Sequence, residues 1–97
     1  MMTINVTAVL KSKKECTEKV KGLLEKLVES SRKEIGCLQY DLHQSIENPN
    51  IFIFHEIWQN KEIFNLHNAQ QYVKDFFEIY SGLLEEEVEV FFTDKVE

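Results

Sequence analysis

Proline appears once and glycine three times in this 97-residue chain. That scarcity leaves no stretch resembling a flexible linker or low-complexity segment, and no internal repeat is visible. A single domain over residues 1–97 is therefore expected, long enough to bury roughly 65% of the surface its unfolded chain exposes. Cysteine is also sparse. Cys16 and Cys37 have neither the spacing of a metal site nor that of a redox pair, so both are expected to be buried structural thiols. Positive charge is in deficit, with 11 Lys and Arg against 17 Asp and Glu and a formal net charge of −6. The basic residues are scattered and form no stripe, which argues against nucleic acid and anionic lipid as partners. No apolar run approaches the ~20 residues of a membrane span, and the N-terminus lacks the apolar core of a signal peptide, so a soluble cytoplasmic protein is expected.

Aromatic residues, by contrast, are abundant: seven Phe, three Tyr and one Trp. Such a load implies a packed core, with some rings left for a pocket or a subunit interface. Thr3 to Leu10 alternates and is rich in β-branched residues, which predicts a first strand. From about Lys14 to Glu34, Cys16, Val20, Leu23, Leu24, Leu27 and Val28 form a helical stripe, and Gly36 is expected as the left-handed stop of that helix. Cys37 to Ile46 predicts a second strand with Leu38, Tyr40 and Leu42 on one face, followed by an Asn48-Pro49-Asn50 turn. Ile51 to Trp58 predicts a third strand, apolar enough to suggest burial on both faces; Phe52, Phe54, Glu56 and Trp58 share one of them.

Asn60 is placed to cap a short helix reaching His67. A second helix is expected from Gln70 to Tyr80, burying Tyr72 or Val73 together with Phe76, Phe77 and Tyr80, with Ser81-Gly82 ending it. Leu84 to Thr93 predicts the last strand, and the acidic run Glu85-Glu86-Glu87 reads as a solvated edge. The order β-α-β, turn, β-α-α-β is that of an α+β ferredoxin-like sandwich, a four-stranded antiparallel sheet with helices on one face. The other face would be bare and apolar, which predicts a homodimer closed sheet to sheet, a dimeric α/β barrel.

Three groups of residues, taken together, resemble the antibiotic biosynthesis monooxygenase (ABM) family, which includes quinol monooxygenases. Glu34-Ile35-Gly36-Cys37-Leu38-Gln39-Tyr40 is similar to its Glu-Pro-Gly-Cys-x-x-Tyr. Asn50 to Trp58 is similar to its Arg-Phe-x-x-x-Glu-x-Trp strand, and His67 with Phe76 to its His-x(4)-Pro-His-Phe-x-x-Phe helix. Ile35, Gln39, Gln71 and Tyr72 depart from that pattern, and Tyr72 removes a second imidazole. The haem-degrading branch has Trp near the position of His67 and a ligating His near that of Phe77, and this chain has neither.

The resemblance implies a cofactor-independent monooxygenase, using no metal, flavin or haem, that oxidises a small quinol or polyphenol with O2. Deprotonating such a substrate needs a dry pocket, a base and a donor that holds the oxyanion. His67 is the candidate base, with a hydrogen-bonded structural histidine as the alternative. Glu56, sharing a face with Trp58, is either a pocket carboxylate or a structural partner of His67 or of a residue across the dimer. Trp58 reads as a packing anchor or a stacking surface. Tyr72 is expected at the pocket mouth, Phe76 along the wall, and Asn5 either on the pocket face or in the dimer interface. Asp41, His43 and His55 have no close-spaced ligand pattern, and no metal is expected there. The alternatives on the same scaffold are an isomerase of a small oxygenated metabolite and a non-catalytic small-molecule-binding dimer.

Overall fold

The structure, a computed structural model, describes residues 3–97, so the first two positions of the expected domain lie outside it. Strand β1 spans Ile4–Lys11, helix α1 Thr17–Ser31, and strands β2 and β3 Cys37–Gln44 and Ile51–Trp58. Helices α2 and α3 span Lys61–Asn68 and Gln71–Tyr80, and β4 spans Glu89–Thr93. A short 3-10 turn, Lys14–Cys16, leads into α1. The sheet order is β2-β3-β1-β4, with every neighbouring pair antiparallel. This is the ferredoxin-like α+β architecture expected from the element order.

Alternation along the strands divides the sheet into two faces. Val6, Ala8 and Leu10 of β1 and Phe52, Phe54, Glu56 and Trp58 of β3 are buried. They pack against Val20, Leu24, Leu27 and Val28 of α1, Phe64 of α2, and Val73, Phe76 and Tyr80 of α3. One row across the inner face runs Tyr40, Glu56, Val6, Phe92. The outer rows include Asp41, His55, Thr7, Phe91 and, beside them, Gln39, Ile57, Asn5, Thr93. No described element covers that outer face. Ile51, Ile53 and Ile57 are half-buried there and His55 is exposed, so the third strand is fully buried on one face only.

Several local expectations change. Gly36 does not cap α1, which ends at Ser31 and is followed by a turn. It has φ +89°, and a Cβ there would lie 2.6 Å from Ile63 Cγ2. Glycine is thus needed both for its backbone conformation and for the close approach of α2. The Gly36 carbonyl also accepts from Gln59 N at 2.8 Å. A bulge between Cys37 and Gln39 puts Leu38 out of the inner-face series, leaving it 58% exposed while Tyr40 is buried. Strand β2 stops at Gln44 and β4 starts at Glu89; Leu84 makes an isolated bridge to Ser12. Phe77 is on the exposed side of α3, and Cys16 and Cys37 are only half-buried. No helix is long and apolar enough to cross a membrane among the described residues.

Candidate functional site

The contact between Gly36 and Ile63 seats α2 on the strand ends, and the Asn60 side chain fixes where the helix begins by accepting from Ile63 N at 2.9 Å. His67 follows one turn after Ile63, on the same side of the helix. It is therefore directed onto the inner face beside Trp58, with the ring centroids 4.4 Å apart. Tyr40 meets the imidazole edge-on at 5.8 Å. The chain just before Gly36 supplies Glu34, whose Oε2 lies 2.7 Å from His67 Nδ1. Tyr72, at the start of α3, donates its hydroxyl to the same carboxylate oxygen and lies 3.3 Å from Ser31 Oγ at the end of α1. Four elements thus converge on one polar cluster of Ser31, Glu34, His67 and Tyr72.

Burial lowers the His67 pKa below its ordinary value; the hydrogen bond and charge of Glu34 oppose that shift without overturning it. At neutral pH the ring is neutral, and against a carboxylate Nδ1 must carry the hydrogen. Nε2 keeps the lone pair and makes no hydrogen bond to a described residue. Glu56 is 7% exposed, and Trp58 Nε1 donates to its Oε1 at 2.8 Å. Burial pushes its pKa up to about 7, partly offset by that hydrogen bond. Burial also raises the Tyr40 and Tyr72 phenols above their ordinary values, so both remain protonated donors. The Cys37 thiol is pushed up to about 11, chiefly by burial, and is no ready nucleophile.

Beside this cluster lies a cavity of about 70 Å³ whose walls include Val6, Tyr40, Glu56, Phe64, His67 and Phe76. Among the described residues no Lys or Arg lines it. Leu27 and Phe76 also line a surface groove between α1 and α3, while Phe77 and Val88 also line a groove beside residues 81–88. Both grooves thus adjoin the cavity through shared apolar side chains.

Of the site residues singled out from the sequence, His67, Glu56 and Phe76 line the cavity. Trp58 lies behind them, fully buried, joined to both His67 and Glu56. Glu56 takes its hydrogen bond from Trp58 rather than His67. Tyr72 is not a cavity wall; its ring lines the groove between α1 and α3. Asn5 is on the outer face, opposite Ile57 and Thr93, away from the cavity. His43 and His55 are also on that outer face, with ring centroids 5.2 Å apart. Asp41 is engaged by Arg32 at 3.2 Å and Gln39 at 2.8 Å. Among the described residues no group of three or more His, Cys, Asp or Glu could hold a metal ion. Sequence reasoning missed Glu34, Ser31 and Tyr40 as site residues. The signal for Glu34 and Tyr40 was present, since both flank Gly36.

A sequence profile of the family described as antibiotic biosynthesis monooxygenase matches residues 3–79. The chain is similar to an uncharacterized protein of Synechocystis, 30% identical over 87 residues that make up 90% of this chain and 59% of that protein. It therefore spans about three fifths of that relative's length. It is 32% identical over 73 residues to YcnE of Bacillus subtilis, which is named as a candidate monooxygenase, covering 75% of this chain and 77% of that one. The crystal structure of an antibiotic biosynthesis monooxygenase superposes with a TM-score of 0.91 at 28% identity, covering 99% of this chain and 100% of that one.

Proposed function

Because this chain belongs to the antibiotic biosynthesis monooxygenase family, we propose that it is a monooxygenase that oxidises a small quinol or polyphenol with O2 and needs no cofactor. The observation that carries this reading is His67, held by a carboxylate at Nδ1 and bordering an apolar cavity. In the proposed reaction Nε2 takes the proton of a substrate hydroxyl, breaking O–H and forming N–H. The resulting anion passes one electron to O2, and recombination of the substrate radical with superoxide forms the new C–O bond as a peroxide. The His67 imidazolium returns its proton to the peroxide; loss of the hydrogen on the oxygenated carbon then breaks O–O, leaving a carbonyl on the ring and releasing the outer oxygen as water. Glu56 and Tyr40 are the polar groups placed to hold the ring oxygens, and Phe64 and Phe76 confine the ring. Exclusion of water favours the step by strengthening each of these interactions.

A cavity of about 70 Å³ is smaller than the roughly 150 Å³ that holds a benzene ring. In this reading the substrate is admitted by displacement of Phe76 with Leu27, or of Phe77 with Val88. The bare outer sheet face is assigned to a second copy of the chain, giving the dimeric barrel, with Asn5 at that interface rather than on the substrate.

The test is O2 uptake in metal-free buffer against a panel of quinols and dihydroxyaromatics, comparing wild type with His67→Ala. Uptake above background that falls at least ~100-fold in the variant supports His67 as base. Unchanged uptake in the variant removes His67 from the mechanism. No uptake with any compound removes the monooxygenase assignment.

A further inference from the structure

The polar cluster behind the cavity is more elaborate than a single base requires. Glu34 Oε2 receives two hydrogen bonds, one involving His67 Nδ1 and one from the Tyr72 hydroxyl, and Ser31 Oγ lies on the far side of that hydroxyl. Ser31 is fully buried, His67 is 3% exposed, and the Glu34 side chain is 14% exposed. A carboxylate this nearly buried is tolerated only when its lone pairs are occupied, and here both donors come from other elements, α2 and α3.

We infer that Glu34 is the positioning residue of this site, fixing His67 in the Nδ1–H form with Nε2 toward the cavity, and that Tyr72, by sharing the same carboxylate oxygen, tempers its pull on the ring. The inference rests on the reading of His67 as the base. Without Glu34 the imidazole could carry its hydrogen on either nitrogen, and the form with Nε2–H cannot accept a proton from substrate there. With Glu34, the imidazolium formed after proton abstraction sits against a negative charge, which stabilises it at the moment it appears. Tyr72 tempers that effect: a carboxylate oxygen that already accepts a phenol hydrogen bond is a weaker partner for the imidazolium. Loss of Glu34 and loss of Tyr72 should therefore move His67 in opposite directions. The other titratable groups near the pair are Tyr40 and Glu56 on the sheet side and Cys37 at the start of β2, with Arg32 held by Asp41.

The experiment reads the ring directly, without requiring activity. Long-range 1H–15N spectra of the labelled protein report the tautomer and titration midpoint of each histidine, with His67 assigned by its loss in His67→Ala. The expected wild-type form at neutral pH is Nδ1–H. Glu34→Gln keeps the size of the side chain and removes its charge, and should lower the His67 midpoint by roughly one pH unit or more. Tyr72→Phe should raise it while the ring stays in the Nδ1–H form at neutral pH. A variant that merely loosened the fold would let water reach the ring and raise the midpoint in both cases, so a rise or no change in Glu34→Gln overturns the inference. A wild-type ring in the Nε2–H form does so as well, and in Tyr72→Phe a midpoint unmoved or lowered, or a mixture of the two tautomers, removes the tempering role of Tyr72.

The kinetic arm uses the quinol found in the uptake assay. Glu34→Gln should lower kcat roughly 100-fold with KM little changed, and an unchanged kcat overturns the positioning role. If wild type consumes no O2 with any compound, the monooxygenase reading falls, while the spectra still decide whether Glu34 sets the form of the ring.

Discussion

Replacing Glu56 by glutamine preserves the length of the side chain and an oxygen to accept from Trp58 Nε1, and removes only the ionisable proton. The wild-type carboxyl titrates near 4.5 in an open chain and at about 7 in the folded protein. Below 4.5 the group is neutral in both states and costs nothing. As pH rises through the interval, the unfolded chain releases the proton while the folded one retains it, so stability falls. Above about 7 both are ionised and the full penalty applies.

At about 1.4 kcal/mol per tenfold change in proton affinity, that interval corresponds to roughly 3 kcal/mol. The glutamine amide incurs some desolvation of its own, so Glu56→Gln is expected to be more stable than wild type by roughly 2 kcal/mol at pH 8 and nearly equal at pH 4.5. Urea unfolding followed by far-ultraviolet circular dichroism, at one fixed protein concentration, gives the comparison. With the slope usual for small domains, the midpoint should rise by roughly 1–2 M at pH 8. A stability difference independent of pH, or a less stable variant at pH 8, would refute the claim that burial disfavours the ionised Glu56 carboxyl. The same variant should lose O2 uptake if Glu56 holds the substrate, which would make the destabilising charge a functional requirement.

Three further outcomes follow from the geometry. The Tyr80 hydroxyl is the buried side-chain polar atom without a partner among the described residues. Tyr80→Phe should therefore stabilise the fold by about 1 kcal/mol and raise Tm by roughly 4–8 °C in a thermal scan; a drop would reveal an undetected partner such as a buried water. Gly36→Ala should lose about 2 kcal/mol in chemical denaturation and should cost less when made in an Ile63→Ala background, though not nothing, since φ stays positive; a Gly36→Ala cost that vanishes in that background would contradict the division. In light scattering at micromolar concentration the chain should have about twice its 11.5 kDa mass, and Ile53→Asp on the outer face should halve it. A wild-type monomer would sink the barrel.

Most of the fold was legible because its signals are local. The stripe of Val20, Leu24, Leu27 and Val28, the alternation through Phe52 to Trp58, and Asn60 before α2 each need only a few neighbouring residues to be read. The bulge at Leu38 carries no such signal, since it is defined by the register against Trp58 and Ile57 on another strand. Alternation also groups Asn5 with Thr7 and Val9 without saying which face meets the helices. Glu34 illustrates the same limit at the site. Its partners His67 and Tyr72 lie 33 and 38 positions away, and only the docking of α2 on Gly36 brings them together. Phe77 was expected inside because helical spacing alone cannot separate the centre of a buried stripe from its edge.

Trp58 gives the chain a built-in optical gauge. It is the sole tryptophan, it is fully buried, its ring lies 4.4 Å from that of His67, and its Nε1 is hydrogen-bonded to Glu56. A protonated imidazole quenches indole emission, and a change in charge on Glu56 shifts its colour, so one fluorophore registers both titrations. A ring-shaped molecule in the adjoining cavity would disturb the same signal. Libraries of compounds can therefore be screened by intrinsic emission alone, so that a ligand can be found before anything is assumed about the reaction it undergoes.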